Sequence, residues 1–268
     1  MTTSLRRFLA LSPTREQLEA WCQQHARVVP AGEHNLCRVL GSKLIYAHQR
    51  DYAIMPHLAL HGIWEPWVTL AIARHVKPGM SCLDVGACYG YFTLLLEELI
   101  DGDGYVEAWE PVWNEVLAAS LSVNGSLAVL RPFSMGTGNL PAMICAPPGG
   151  GALFNAGNLR GGPRFAERGQ VPTHGKYDFI KIDVEGAEID VWKALTMTGC
   201  LKKSSVVVCM EFTPSKHSDP LRELEMIGEA GFDMGSVGHD GIPRPCSLEE
   251  VLIPDTGDFR MLWLTRSS

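Results

Sequence analysis

The stretch CLDVGACYGYFTLLLEEL, residues 82–99, decides the fold. A short apolar run, Cys82 to Val85, stops at a glycine turn, and from Tyr91 onward apolar residues recur at helical spacing. This predicts a strand, a tight turn and a helix, the unit from which open α/β sheets are built, with ligands taken at the C-terminal end of the strand. Gly86 lets a backbone approach a ligand closely, and Gly90 lets the following helix pack against the strand. The spacing is Asp-x-Gly-x-x-x-Gly and not G-x-G-x-x-G. A dinucleotide fold brings a pyrophosphate to the helix N-terminus, where an acid such as Asp84 would repel it. An acid at this point suits a ligand that carries positive charge, and an NAD-type dehydrogenase is disfavoured.

Outward from this unit, apolar runs alternate with helical patterns. Strands are predicted near residues 80–85, 105–110, 127–133, 177–183, 204–212, 232–237 and 259–265, and helices over 91–100, 113–123, 187–198 and 221–230. That alternation is the signature of βαβ units and a mostly parallel sheet with helices on both faces. Upstream, residues 1–63 read as a small cap. A helix is expected from Pro13 to about Val29, then a hairpin of residues 36–40 and 43–48 with a two-residue turn at Gly41-Ser42. Residues 64–76 form a further helix, which Lys77-Pro78-Gly79 ends, and they open the main domain, 64–268. The Gly- and Pro-rich segment at about 136–176 interrupts this domain as a long loop, a feature more often functional or mobile than structural.

Composition bounds the function. The chain has 268 residues, 46% hydrophobic and 20% charged, enough for a sizeable core without disulfide or metal staples. Lys+Arg 23 against Asp+Glu 30 gives a net charge of −7 with no basic block, which argues against a nucleic-acid footprint and for small-molecule chemistry. No apolar run approaches the ~20 residues of a membrane span and the start lacks a secretory signal, so a cytoplasmic protein without a membrane partner is expected. Eight cysteines with no C-x-x-C pair read as reduced thiols. Oligomeric state carries no signal in the sequence.

Two further segments carry chemistry. In YVEAWEP, residues 105–111, Glu110 closes the neighbouring strand 26 residues after Asp84 and is able to accept hydrogen bonds from both hydroxyls of a ribose. In YDFIKIDVEGAEIDVWKAL, residues 177–195, Lys181 and Asp183 stand two apart and point to one face of a strand. Burying that pair is costly unless the two serve each other or a ligand. Glu185 and Glu188 open the next helix, where its dipole favours acids with no catalysis involved. Glu211, in VVVCMEFTP, ends the adjacent strand.

Together, DVGACYGYFT, WEP and DFIKIDVEGAE closely resemble, in order over roughly residues 60–215, the FkbM family of S-adenosylmethionine-dependent methyltransferases. The resemblance implies the Rossmann-like class I methyltransferase fold, a seven-stranded sheet with its last strand antiparallel, and S-adenosyl-L-methionine as cofactor. It implies that Asp84, Gly86 and Gly90 line the methionine end, that Ala87 and Tyr89 also contact the cofactor, that Glu110 holds the ribose, and that Asp183 sits near the transferable methyl. Glu65, in HGIWEPW, matches an acid that the family carries before the first strand, and is implied to reach the cofactor's amino group. VPTHGKYDFIK stands where the family commonly has LDDL, which leaves the substrate-side wall open.

A sulfonium methyl is already electrophilic, so the protein has to align the acceptor, exclude water and take a proton from the nucleophile. Asp183 is the first candidate proton acceptor, Lys181 its stabilising partner, and Glu211 a second catalytic acid. The leading expectation is O-methylation of a hydroxyl on a sugar or specialised metabolite. Alternatives are N-methylation of an amine or peptide-derived acceptor and a silent cofactor-binding module. Asp183 and Glu211 could instead hold Mg²⁺, but two carboxylates are too few, and no metal site is assigned. Tyr89, Tyr91 and Phe92 are candidates to face the sulfonium. His57 and His61 read as structural histidines, whereas His174 and His217 are loop candidates for the substrate pocket.

Overall fold

The computed structural model describes residues 4–137, 142–144, 164–166, 169, 177–253 and 259–267. Its centre is a sheet of eight strands. In chain order these are β4 (Ser81–Val85), β5 (Tyr105–Trp109), β6 (Val129–Arg131), β9 (Phe179–Ile182), β10 (Val207–Phe212), β11 (Phe232–Val237), β12 (Pro243–Pro245) and β13 (Arg260–Arg266). Their spatial order is β12-β11-β13-β10-β9-β4-β5-β6. β6, β5, β4, β9 and β10 are parallel neighbours, and β13 runs antiparallel to both β10 and β11. The seven expected strands are all present with the last antiparallel, and β12 adds an eighth at the edge. Strand order reverses between β4 and β9, which makes the crevice above their C-terminal ends the ligand position in sheets of this kind.

Alternating side chains divide the core into two layers. Cys82, Phe179, Cys209 and Trp263 join one cluster with α4 (Pro66–His75), α5 (Tyr91–Ile100) and α6 (Asn114–Val123). Leu83, Ile180, Met210 and Leu262 join the other with α7 (Glu188–Met197), α8 (Pro220–Glu229) and α9 (Leu248–Leu252). Strands buried on both faces explain why they read as near-continuous apolar runs.

The leading segment comprises α1 (Leu5–Leu9), α2 (Arg15–His25), α3 (Met55–His61) and the three-stranded sheet β1 (Arg27–Ala31), β2 (His34–Val39) and β3 (Lys43–His48). Its buried Leu18, Cys22, Val39 and Leu58 share the first cluster with the main sheet's helices. Two expectations are corrected here. The helix expected to Val29 starts at a Thr14–Gln17 capping box and ends at His25, because β-branched Val28 and Val29 ahead of Pro30 pair with Cys37 and Leu36. The hairpin loop has three residues, Leu40, Gly41 and Ser42: Val39 pairs with Lys43, and buried Leu40 donates its N–H to the Gly62 carbonyl at 2.9 Å.

Within the Gly- and Pro-rich segment, β7 (Ala142–Ile144) pairs antiparallel with β8 (Arg164–Ala166), so the segment is not loop throughout. Gly136, Thr137 and Gly169 are also described, while His174 and the remainder of the segment lie outside the described residues. None of the seven described cysteines is disulfide-bonded. Among the described residues no helix is long and apolar enough to cross a membrane.

Candidate active site

The site lies at the C-terminal ends of β4, β5, β9 and β10. The turn after β4 is forced by close approach. Gly86 has φ +86°, and a Cβ there would lie 1.7 Å from the Asp183 carbonyl oxygen. The Gly86 and Ala87 amides donate to the Trp109 carbonyl at 2.9 and 3.1 Å, and Gly90 donates to the Ala87 carbonyl at 2.8 Å to open α5. Adjacent strands are thereby pinned to the turn.

Asp84 is wholly buried. Its Oδ2 accepts from the Thr93 hydroxyl at 2.6 Å, while Oδ1 has no hydrogen-bond partner among the described residues. Asp84 and Lys181 are register partners on β4 and β9, so they share a face. The Lys181 ammonium, 1% exposed, donates to Asp183 at 2.8 Å and lies 4.3 Å from the centre of the Phe92 ring. Burial disfavours this ammonium, but Asp183, Asp84 and Glu65 together raise its pKa. Asp183 is 19% exposed, so the pair has one buried cation and one reachable carboxylate.

Glu65 precedes α4 in a left-handed conformation, φ 40°, with a buried side chain whose Oε2 has no hydrogen-bond partner among the described residues. Burial, offset by Lys181, pushes its pKa up to about 8. A strained backbone and an orphaned buried acid are costs that a bound ligand would offset. Glu110 accepts three backbone N–H groups: Cys88 at 2.8 Å on Oε2, Val112 at 2.7 Å and Trp113 at 3.0 Å on Oε1. Burial raises its pKa and these amides oppose the rise. A carboxylate offers about four lone-pair sites, so one remains on Oε2.

Glu211 lies on β10 on the same face as Lys181, since Cys209 is the register partner of Lys181 and Glu211 follows by two. Burial, then Asp183 and Glu185, push its pKa up to about 9. Ligand atoms of Asp183, Glu185 and Glu211 lie within 4.8 Å of one another. Glu185 is thus a third carboxylate that strand positions alone did not reveal. It is brought in by a left-handed turn, φ 60° at Glu185 and φ 106° at Gly186, and by Lys216, whose ammonium pairs with Glu185 and stands 3.7 Å from Glu211.

Other candidates fall elsewhere. Tyr89 is buried against Trp113, Tyr91 bonds Thr69 at 3.1 Å, and Phe92 faces the lysine. His57 and His61 share a face of α3, ring centres 5.9 Å apart. His217 does not line an open pocket: its side chain is 3% exposed, stacked on Phe212 at 4.3 Å, because two carboxylates and an aromatic ring enclose it.

No family model and no curated protein matches the chain. Solved structures do. A ribosomal protein L11 methylase from Lactobacillus delbrueckii subsp. bulgaricus aligns over 76% of this chain and 78% of its own at 13% identity, with a TM-score of 0.42. A precorrin-6y C5,15-methyltransferase from Geobacter metallireducens aligns over 75% and 86% at 12% identity, TM-score 0.43. A TehB-like SAM-dependent methyltransferase from Corynebacterium glutamicum aligns over 75% and 88% at 12% identity, TM-score 0.44. The fold is the Rossmann-like class I methyltransferase fold, defined by its strand order and antiparallel last strand.

Proposed function

We propose that the chain is an S-adenosylmethionine-dependent methyltransferase of the FkbM type, acting on a hydroxyl of a sugar or specialised metabolite. The observation that carries this reading is the pair of orphaned, buried acid oxygens, Asp84 Oδ1 and Glu65 Oε2, beside a buried Lys181–Asp183 pair at the strand-order reversal. Such acids fit a ligand that brings positive charge and N–H donors. Asp84 and Glu65 would hold the ammonium of S-adenosylmethionine, Glu110 a ribose hydroxyl, and the turn Gly86–Gly90 its methionine end. When bound, the cofactor supplies an electrophilic methyl group.

Asp183 takes the proton from the acceptor hydroxyl, and Lys181, fixed and charged, orients that carboxylate and offsets negative charge developing on the oxygen. Glu211, whose pKa is pushed up to about 9, carries a proton at neutral pH and therefore donates a hydrogen bond to the acceptor instead of serving as a base. The reachable carboxylates Asp183 and Glu185, which lie together beside Glu211, favour amine acceptors as the second reading. A small molecule is the proposed acceptor in either case.

Calorimetric titration with S-adenosylhomocysteine, with NAD as control, tests the cofactor assignment. Micromolar binding of the first alone is expected; binding of neither overturns it and favours a silent module. Lys216 already sets a cation against two of the three clustered carboxylates, so transfer is expected to be independent of added Mg²⁺. Loss of transfer on EDTA treatment that Mg²⁺ restores would instead make Asp183, Glu185 and Glu211 ligands.

A further inference from the structure

Behind the site runs a buried chain of side chains that the proposed chemistry does not use. Glu188 opens α7, yet its carboxylate does not face solvent. It is 2% exposed, and Oε1 accepts the backbone N–H groups of Gly186 at 3.0 Å and Val184 at 3.2 Å. These are the amides of the turn that carries Asp183 and Glu185. The Oε2 atom of the same carboxylate lies 3.4 Å from His217 Nε2, and His217 Nδ1 lies 2.8 Å from Glu223 Oε2 on α8. The imidazole lies edge-on between these two acids at ion-pairing distance, although Glu188 Oε2, His217 Nε2 and Glu223 Oε2 make no hydrogen bond among the described residues, and it is stacked face-on against Phe212, the last residue of β10. His217 immediately follows Lys216, which pairs with Glu185 from the opposite side of the turn.

We propose that His217 is a positioning residue that, through Glu188, holds the turn of residues 183–187 and so fixes the Asp183 carboxylate against Lys181. The inference rests on the methyltransferase reading of Asp183, and it explains why a histidine and a glutamate are buried together behind the turn. A first-turn acid that only answered the helix dipole would lie in solvent. Glu188 instead satisfies two turn amides, and such a carboxylate needs an anchor of its own to stay in place. Without His217, Glu188 loses the ring that packs against its Oε2, and the turn, whose Glu185 holds a left-handed conformation, relaxes.

The test uses the full chain and needs no acceptor. In His217→Ala, the Val184 and Gly186 amides should exchange with solvent about ten-fold faster, while the amides of β9 and α8 keep their protection. The affinity for S-adenosylhomocysteine should stay within about two-fold, but the preference for S-adenosylmethionine over it should shift by about three-fold or more, because only the sulfonium senses where the Asp183 charge sits. Glu188→Ala should reproduce both effects, and the double variant should be no worse than Glu188→Ala alone, since the two residues act in series. Glu223→Gln, at the far end of the chain, should give a milder change in the same direction and serves if His217→Ala does not fold. Unchanged exchange at Val184 and Gly186 in a folded His217 or Glu223 variant, or additive effects of the two alanines, overturns the proposal. Failure of the wild-type protein to bind either cofactor form would sink the methyltransferase reading, while the exchange result would still stand or fall by itself.

Discussion

Three residues bear most of the site's chemistry, and each makes a separable demand. Asp183 is the reachable half of a pair whose other half is buried, so Asp183→Asn keeps the side-chain volume and removes the proton acceptor. With any acceptor that the wild-type protein methylates, kcat should fall by about 10²–10⁴; the thermal midpoint should fall too, because Lys181 stays buried without its nearest anion, so turnover is compared at a temperature where circular dichroism shows the variant folded. Wild-type turnover in that variant would remove Asp183 as the base. Gly86 makes a steric demand: an added Cβ meets the Asp183 carbonyl at 1.7 Å in a backbone conformation of φ +86°. Gly86→Ala should cost about 2–5 kcal/mol in urea denaturation and lose cofactor binding, since the overlap is with backbone that no rotamer change relieves. A stable, binding-competent Gly86→Ala protein would contradict the turn geometry. Glu110 does two jobs in the proposed reading, capping three amides and keeping one lone pair of Oε2 for the ribose. Glu110→Ala should therefore weaken S-adenosylhomocysteine binding by about 1–3 kcal/mol and also lower stability by a comparable amount. Calorimetry and denaturation separate the two, and unchanged affinity would take Glu110 out of the site.

At the scale of elements, what sequence periodicity shows depends on how local the cause is. The run from Cys82 to Val85 and the helix after Gly90 were legible because burial on both faces and a glycine turn leave local marks, and the helix appears over Tyr91–Ile100 as expected. Edge strand β12 left no mark: its three residues, Pro243 to Pro245, include two prolines, which only an edge or a strand end tolerates. β1 was hidden behind an amphipathic helix because its partner β2 lies across a turn. Within the site, Lys181 beside Asp183 followed from two-residue periodicity alone. Glu185, Lys216 and the Glu188–His217 contact did not, because they join the loop after β9 to the loop after β10, and no pattern within either loop encodes the meeting. A similar long-range tie joins the leading segment to the main sheet's helices. Asn124, at the end of α6, accepts the Leu44 N–H at 2.9 Å and donates to the Leu44 carbonyl at 2.6 Å, completing the outer edge of β3 as a further strand would. Asn124→Ala should cost about 1–3 kcal/mol, because both β3 groups lose their partner in a partly buried position. An unchanged denaturation midpoint would show that water replaces the side chain freely.

Across the whole molecule, the site gathers more buried acid than base, and this ties stability, cofactor binding and pH together. The pKa of Glu65 is raised from 4.5 to about 8 and that of Glu211 to about 9, burial being the largest cause for both. Between pH 4.5 and these values the folded chain holds protons that the unfolded chain has released. Stability follows the proton difference between unfolded and folded states, so it must fall as pH rises through that window. Lys181 adds no slope there, because its raised pKa leaves it charged in both states. A ligand that brings an ammonium and a sulfonium reverses the preference, since it favours the ionised acids and makes binding release protons. The thermal midpoint of the protein alone should therefore drop between pH 6 and pH 8.5. Saturating S-adenosylmethionine should raise the midpoint more at the higher pH than at the lower. Calorimetry at pH 7 in two buffers of different ionisation enthalpy should show net proton release, larger for S-adenosylmethionine than for S-adenosylhomocysteine, which lacks the sulfonium charge. Proton uptake, or an affinity that falls with rising pH, would mean that the buried acids face each other and not the ligand, and the cationic-ligand reading of Asp84 and Glu65 would fall with them.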